Sequence, residues 1–108
     1  MVFNAFLGVK ANTEMEGKHM KAVITVIGKD RAGIIAQLSA ACLEHGVNIL
    51  DITQKVFDGT FAMVMMVDVS ALNIEFAAFI DRMEDVGQTI GMTVKTVHED
   101  VYNTMHRI

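Results

Sequence analysis

GKDRAGII, residues Gly28–Ile35, separates an apolar run rich in β-branched residues from a segment whose apolar residues recur at helical spacing. The run before it, Lys21–Ile27, predicts a short strand that Gly28 ends. The segment after it, Ile34–His45, predicts a helix, and Gly46 is placed to end that helix in a left-handed conformation. The stretch is therefore a sharp turn from strand into helix.

Residue patterns also predict the remaining strands and a second helix. Residues 47–57 alternate polar and apolar side chains, and Asp58-Gly59 predicts a hairpin into a third strand, Thr60–Val69. A second helix follows, with Asn73 as its expected N-cap and Gly91 as its end, and residues 92–98 form a fourth strand. The order β-α-β-β-α-β predicts an α+β, ferredoxin-like sandwich, in which two helices cover one face of a four-stranded antiparallel sheet.

A chain of 108 residues indicates one domain. We divide it into an N-terminal extension (residues 1–19) that we expect to be flexible, the βαββαβ domain (residues 20–98) and an amphipathic tail (residues 99–108). The tail carries Val101, Met105 and Ile108 at helical spacing, so we expect it to fold back as one or two helical turns.

Composition and charge exclude several classes of partner. The net charge is −4, with acidic and basic residues mixed along the chain, which argues against a nucleic-acid surface. No apolar run approaches the roughly 20 residues of a membrane span, and we predict no signal peptide. The single cysteine, Cys42, lies among apolar helix residues, which favours a buried structural thiol and a reducing, cytoplasmic location.

The third strand is apolar on both of its faces. One face holds Phe61, Met63, Met65, Val67 and Val69, and the other holds Ala62, Val64 and Met66. Helices on one side leave the second face uncovered, so it should meet another apolar surface. A homodimer would provide one, either sheet against sheet or edge to edge with the tail over part of the open face.

The turn offers complementary groups to a small zwitterion. Backbone amides of Ala32, Gly33 and Ile34 at a helix N-terminus could hold a carboxylate, and Asp30 could accept from an ammonium group. Arg31 could aid capture of the anion, although a solvated surface charge is the simpler interpretation. On pattern alone we favour a second alternative for Asp30, in which its side chain caps the helix.

Three stretches give the chain from residue 21 to residue 98 a resemblance to the ACT domain family: GKDRAGI at the turn, EHGVNI after the first helix and DGTF at the hairpin. The closing HEDVYNTMHRI resembles the small stand-alone ACT proteins related to regulators of glycine cleavage. The resemblance implies a ligand site between two subunits, with Asp30, Gly33 and Ile34 from the turn and Asn48 from the second strand. Asn48 could equally cap the helix end locally. Ala32 stands where the family often has proline, which leaves the ligand's identity open.

These observations favour a regulatory sensor over an enzyme. We find no nucleophile paired with a base, no carboxylate pair and no metal-ligand spacing; His98, Glu99, Asp100 and His106 match no common zinc pattern. We therefore expect no catalytic residues, no metal and no cofactor. The expected partners are an amino-acid-like ligand, a second copy of the chain and a regulated protein. The alternative is a homodimeric protein-interaction module whose ligand site is vestigial.

Overall fold

A computed structural model describes residues 20–105, and these residues form four strands and three helices. In chain order they are β1 Lys21–Lys29, α1 Ile34–Glu44, β2 Asn48–Phe57, β3 Thr60–Asp68, α2 Phe76–Thr89, β4 Met92–His98 and α3 Glu99–Met105. Residues 1–19, together with His106 and Ile108, lie outside the described part of the chain. Within that part, no helix has both the length and the apolar content needed to cross a membrane.

The four strands make one antiparallel sheet in the order β2-β3-β1-β4. β1 is central, with Ile24 paired to Met65 of β3 on one side and to Thr96 of β4 on the other. The β2–β3 hairpin turns at Asp58 (φ 53°) and Gly59 (φ 77°), the pair of left-handed residues that a two-residue turn of this type requires. The predicted ferredoxin-like fold is confirmed.

The hydrophobic core lies between the sheet and the first two helices. β3 directs alternate side chains into it, and the helices contribute residues three and four apart, as their spacing predicts. The buried residues include Phe61, Met63, Met65 and Val67 of β3, Ile34, Leu38, Ala41 and Cys42 of α1, and Phe79, Met83 and Val86 of α2.

β1 does not end at Gly28 as predicted, because the glycine pairs with Phe61 on one side and Met92 on the other. A Cβ atom at this position would lie 2.7 Å from the backbone oxygen of Gly91 and 2.8 Å from the sulfur of Met92. Gly28 therefore permits close packing inside the sheet, and β1 continues to Lys29, which pairs with Thr60.

The predicted N-cap of the second helix is also wrong. Glu75 occupies the N-cap position of α2, and no side-chain hydrogen bond caps that end. Asn73 instead holds the end of α1: its amide nitrogen donates to the carbonyl oxygen of Glu44 over 3.1 Å, and its oxygen lies 3.1 Å from Nδ1 of His45. The asparagine therefore joins the loop before α2 to the end of α1.

Helix α3 packs against β1 and β4 on the sheet face opposite the core. Val23 points to this face and is nevertheless fully buried, outside the main core cluster. No other helix between residues 20 and 105 covers this face, and Ile27 and Phe57 on it are each more than half exposed. Because a helix is about 10 Å across, α3 stands above part of this face.

Burial protects Cys42 from reaction. Loss of hydration raises the pKa of its thiol from 9.0 to about 12. We expect no reaction with a disulfide reagent at pH 8 until denaturant unfolds the chain, which thiol titration measures. Because the folded pKa is the higher one, this group's contribution to stability is complete below pH 9 and is lost as the pH rises towards 12. Rapid labelling of the folded protein at pH 8 would contradict this burial.

Candidate functional site

The turn between β1 and α1 presents an uncapped helix N-terminus. Gly33 is the N-cap of α1 and adopts a left-handed conformation, φ 89°, that favours glycine. No side chain among residues 20–105 caps this end with a hydrogen bond, so the capping role predicted for Asp30 is wrong. A Cβ atom on Gly33 would meet no heavy atom of the described residues within 4 Å, so none of them fills the space beside the helix start.

The turn is fixed to the neighbouring hairpin by one backbone hydrogen bond. The amide of Asp30 donates to the carbonyl oxygen of Gly59 over 2.9 Å. Asp30, Arg31, Ala32 and Gly33 are all exposed, whereas the side chain of Ile34 is buried in the core. The Asp30 carboxylate and the first amides of α1 therefore face solvent on a turn that is held at both ends.

Asn48 lies at the opposite end of the sheet from this turn. It starts β2 and pairs with Asp68, which in turn pairs with Lys21 at the beginning of β1. The eight residues from there to Lys29 span about 26 Å at the usual rise of an extended strand. Within one chain, the structure thus brings together the predicted site residues 30–34 but not Asn48.

The local capping alternative for Asn48 is not what the structure shows. Its half-buried side chain forms no hydrogen bond with any residue from 20 to 105, and Asn73 holds the end of α1 instead. No signal in the sequence could have assigned this role to Asn73, because its partners lie 28 and 29 residues away. Between residues 20 and 105, no cluster of three His, Cys, Asp or Glu side chains could hold a metal ion.

Comparison with known proteins agrees with this fold. The ACT domain family model matches residues 21–97. A UPF0237 protein of Methanocaldococcus jannaschii is 43% identical over 88 residues, which cover 82% of this chain and 98% of that protein. A UPF0237 protein of Bifidobacterium longum is 42% identical over 88 residues, which again cover 82% of this chain and 98% of that protein.

Solved structures extend the comparison. An ACT domain protein from Streptococcus pneumoniae superposes with a TM-score of 0.68 at 37% identity, covering 77% of this chain and 93% of that one. A candidate glycine cleavage system transcriptional repressor, 21% identical, shares the fold over 75% of this chain and 46% of its own, with a TM-score of 0.62. From residue 21 to residue 97, this chain belongs to the ACT domain family.

Proposed function

We propose that the protein is a cytoplasmic regulatory sensor that binds an amino acid or similar small zwitterion between two copies of the chain. The observation that carries the proposal is the uncapped, exposed start of α1 beside the Asp30 carboxylate. Membership of the ACT family supports the same role.

The chemistry of the turn suits both ends of an amino acid. Free amides at the start of α1 offer hydrogen-bond donors and a partial positive charge to a carboxylate. Asp30 accepts from the ammonium group, and Gly33 leaves the approach to these amides unobstructed. Arg31, which is exposed next to Asp30, adds positive charge on the path of the anion.

A dimer that joins two β2 strands would complete this site with Asn48. Among the strands that the structure describes, β2 is a ten-residue edge strand, and an unpaired edge of that length is a liability that proteins commonly cover. Two β2 edges related by a two-fold axis run antiparallel, so the Asn48 end of one lies beside the Phe57 end of the other. The hairpin after Phe57 holds Asp30 through Gly59, so the partner's Asn48 would approach the turn.

Leu43 of α1 supports this dimer and gives its first test. Its side chain is 74% exposed, and α1 packs next to β2. At micromolar concentration we expect light scattering to give the wild type a mass of twice the 11.9 kDa of one chain. Leu43→Asp should shift this mass towards that of the monomer, because the dimer would bury an unpaired charge. Val101→Asp, on the exposed side of α3, is the matched control and should leave the dimer intact. A monomeric wild type would contradict the arrangement.

Thermal-shift screening against the amino acids tests the ligand. A ligand of about five heavy atoms at the ceiling of about 1.5 kcal/mol per atom reaches micromolar affinity at best, so the screen must extend to millimolar concentrations. We expect at least one amino acid to raise the melting temperature, because it binds only the folded dimer. A dimer that responds to none of them would support the interaction module with a vestigial site.

A further inference from the structure

We propose that the open face of the sheet carries a second binding site, for a small carboxylate with an apolar body. A groove of about 340 Å³ lies on this face, within the size range of small-molecule sites. It is distinct from the turn at Asp30, since its lining comes from the open face of the sheet and from α3 and includes no residue of 30–34. The proposal stands whether or not the turn binds an amino acid.

The floor of the groove is apolar and comes from the two central strands. Ile27 of β1 pairs with Ala62 of β3, and Val64 lies two residues further along β3 on the same face. Phe57 of β2 and Tyr102 of α3 also line the groove. Because Ile27 is 55% exposed and Phe57 is 54% exposed, an apolar ligand that covers them removes apolar surface from water.

The polar groups of the groove lie at one side of this floor. Thr53 and Lys55 are two residues apart on β2, so their side chains share the open face, and both line the groove. A carboxylate placed there would accept from the Thr53 hydroxyl and the Lys55 ammonium group. Lys55 is exposed, and its ammonium group forms no ion pair with any residue between 20 and 105.

Among the described residues, Lys55 is the one charged residue that lines the groove, and further charged residues lie around it. Lys95 of β4 pairs with Thr25 and faces the same side as Lys55. Lys29 adds a third positive charge at the end of β1, while Asp51, opposite Met66, and Asp58, the residue after Phe57, carry negative charge nearby. The charge that is complementary to an amphipathic carboxylate is therefore that of Lys55, beside the apolar floor. α3 keeps a flat second sheet away from the recess, which leaves room for a small molecule.

Octanoate, with octanol as the uncharged control, tests the site by backbone amide NMR of the full chain. We expect millimolar octanoate to shift the amides of residues 25–27, 53–57 and 62–64 and to leave those of residues 30–34 unchanged. Octanol should bind at least about threefold more weakly, since an exposed ion pair contributes up to about a fivefold factor in affinity. Equal binding of the two probes, shifts confined to the turn, or no shifts at 10 mM would overturn the proposal.

A variant of Lys55, with a control, and two variants of the groove floor locate the contacts. Lys55→Gln should weaken octanoate about threefold, whereas Lys21→Gln, beside the start of α3, should not change its affinity. Val64→Asp should abolish binding by placing a like charge in the floor, and Phe57→Ala provides a second floor variant if Val64→Asp fails to fold. If either floor variant separates the dimer while octanoate binding is absent, a second copy covers the groove and the proposal is wrong.

Discussion

Replacing Phe79 with alanine should cost about 3 to 5 kcal/mol of unfolding free energy, a large part of the 5 to 15 kcal/mol that a domain usually has. The side chain is fully buried in the core cluster. Its ring also meets the His45 ring edge to face, with centroids 6.3 Å apart, at the junction of α1 and α2. Truncation removes both contacts and leaves a cavity between the helices and the sheet.

Urea unfolding at fixed protein concentration measures the effect, and Phe57→Ala is the matched control. Phe57 is 54% exposed on the open face, so the same truncation there should cost less than about 1 kcal/mol. The melting temperature of Phe79→Ala should fall by about 15 °C or more. Equal losses in the two variants would mean that the core does not lie where the structure has it.

Replacing Asp30 with asparagine should weaken amino-acid binding about tenfold or more. The change keeps the size and one acceptor oxygen of the side chain but removes the charge that pairs with the ligand's ammonium group. Asp30 is exposed and its carboxylate does not cap α1, so the fold should tolerate the change. Calorimetric titration with the amino acid found by screening measures the loss.

Asp58→Asn is the control for this effect, because it removes an equal charge from the neighbouring hairpin. Asp58 has a left-handed φ of 53°, which asparagine also tolerates, so the hairpin should remain intact. The affinity of the Asp58→Asn variant for the amino acid should change by less than about threefold, which is the effect of a screened surface charge. An equal loss in both variants would indicate a general field effect and argue against a specific contact of Asp30.

Local patterns determine most of this fold. The three- and four-residue spacing of Ile34, Leu38, Ala41 and Cys42 predicts α1, and each of these side chains is buried. Asp58-Gly59 predicts the hairpin, since its two left-handed residues are required by a short-range geometry. Such features depend on neighbours a few residues away, which one sequence displays.

Features that depend on distant contacts could not be predicted in this way. Gly28 interrupts the strand pattern but is required by Gly91 and Met92, more than 60 residues away. The amide of Asp30 donates to the carbonyl oxygen of Gly59, and the side chain of Asn73 donates to that of Glu44. Both hydrogen bonds depend on how distant parts of the chain pack together. The sequence predicts a candidate site at the turn, whereas the separation of Asn48 from that turn depends on the sheet register.

That separation makes a mixed dimer the most direct test of a site shared between two chains. Asp30→Asn and Asn48→Ala homodimers should each bind the amino acid poorly. In a heterodimer of the two variants, one site combines the intact turn of one chain with the intact Asn48 of the other.

Calorimetry of an equal mixture after subunit exchange should therefore recover full-affinity binding in about a quarter of all sites, because half of the dimers are mixed and each has one intact site. Recovery of that fraction is the result that a shared site predicts. No recovery, with heterodimers shown to be present by mass spectrometry, would contradict it.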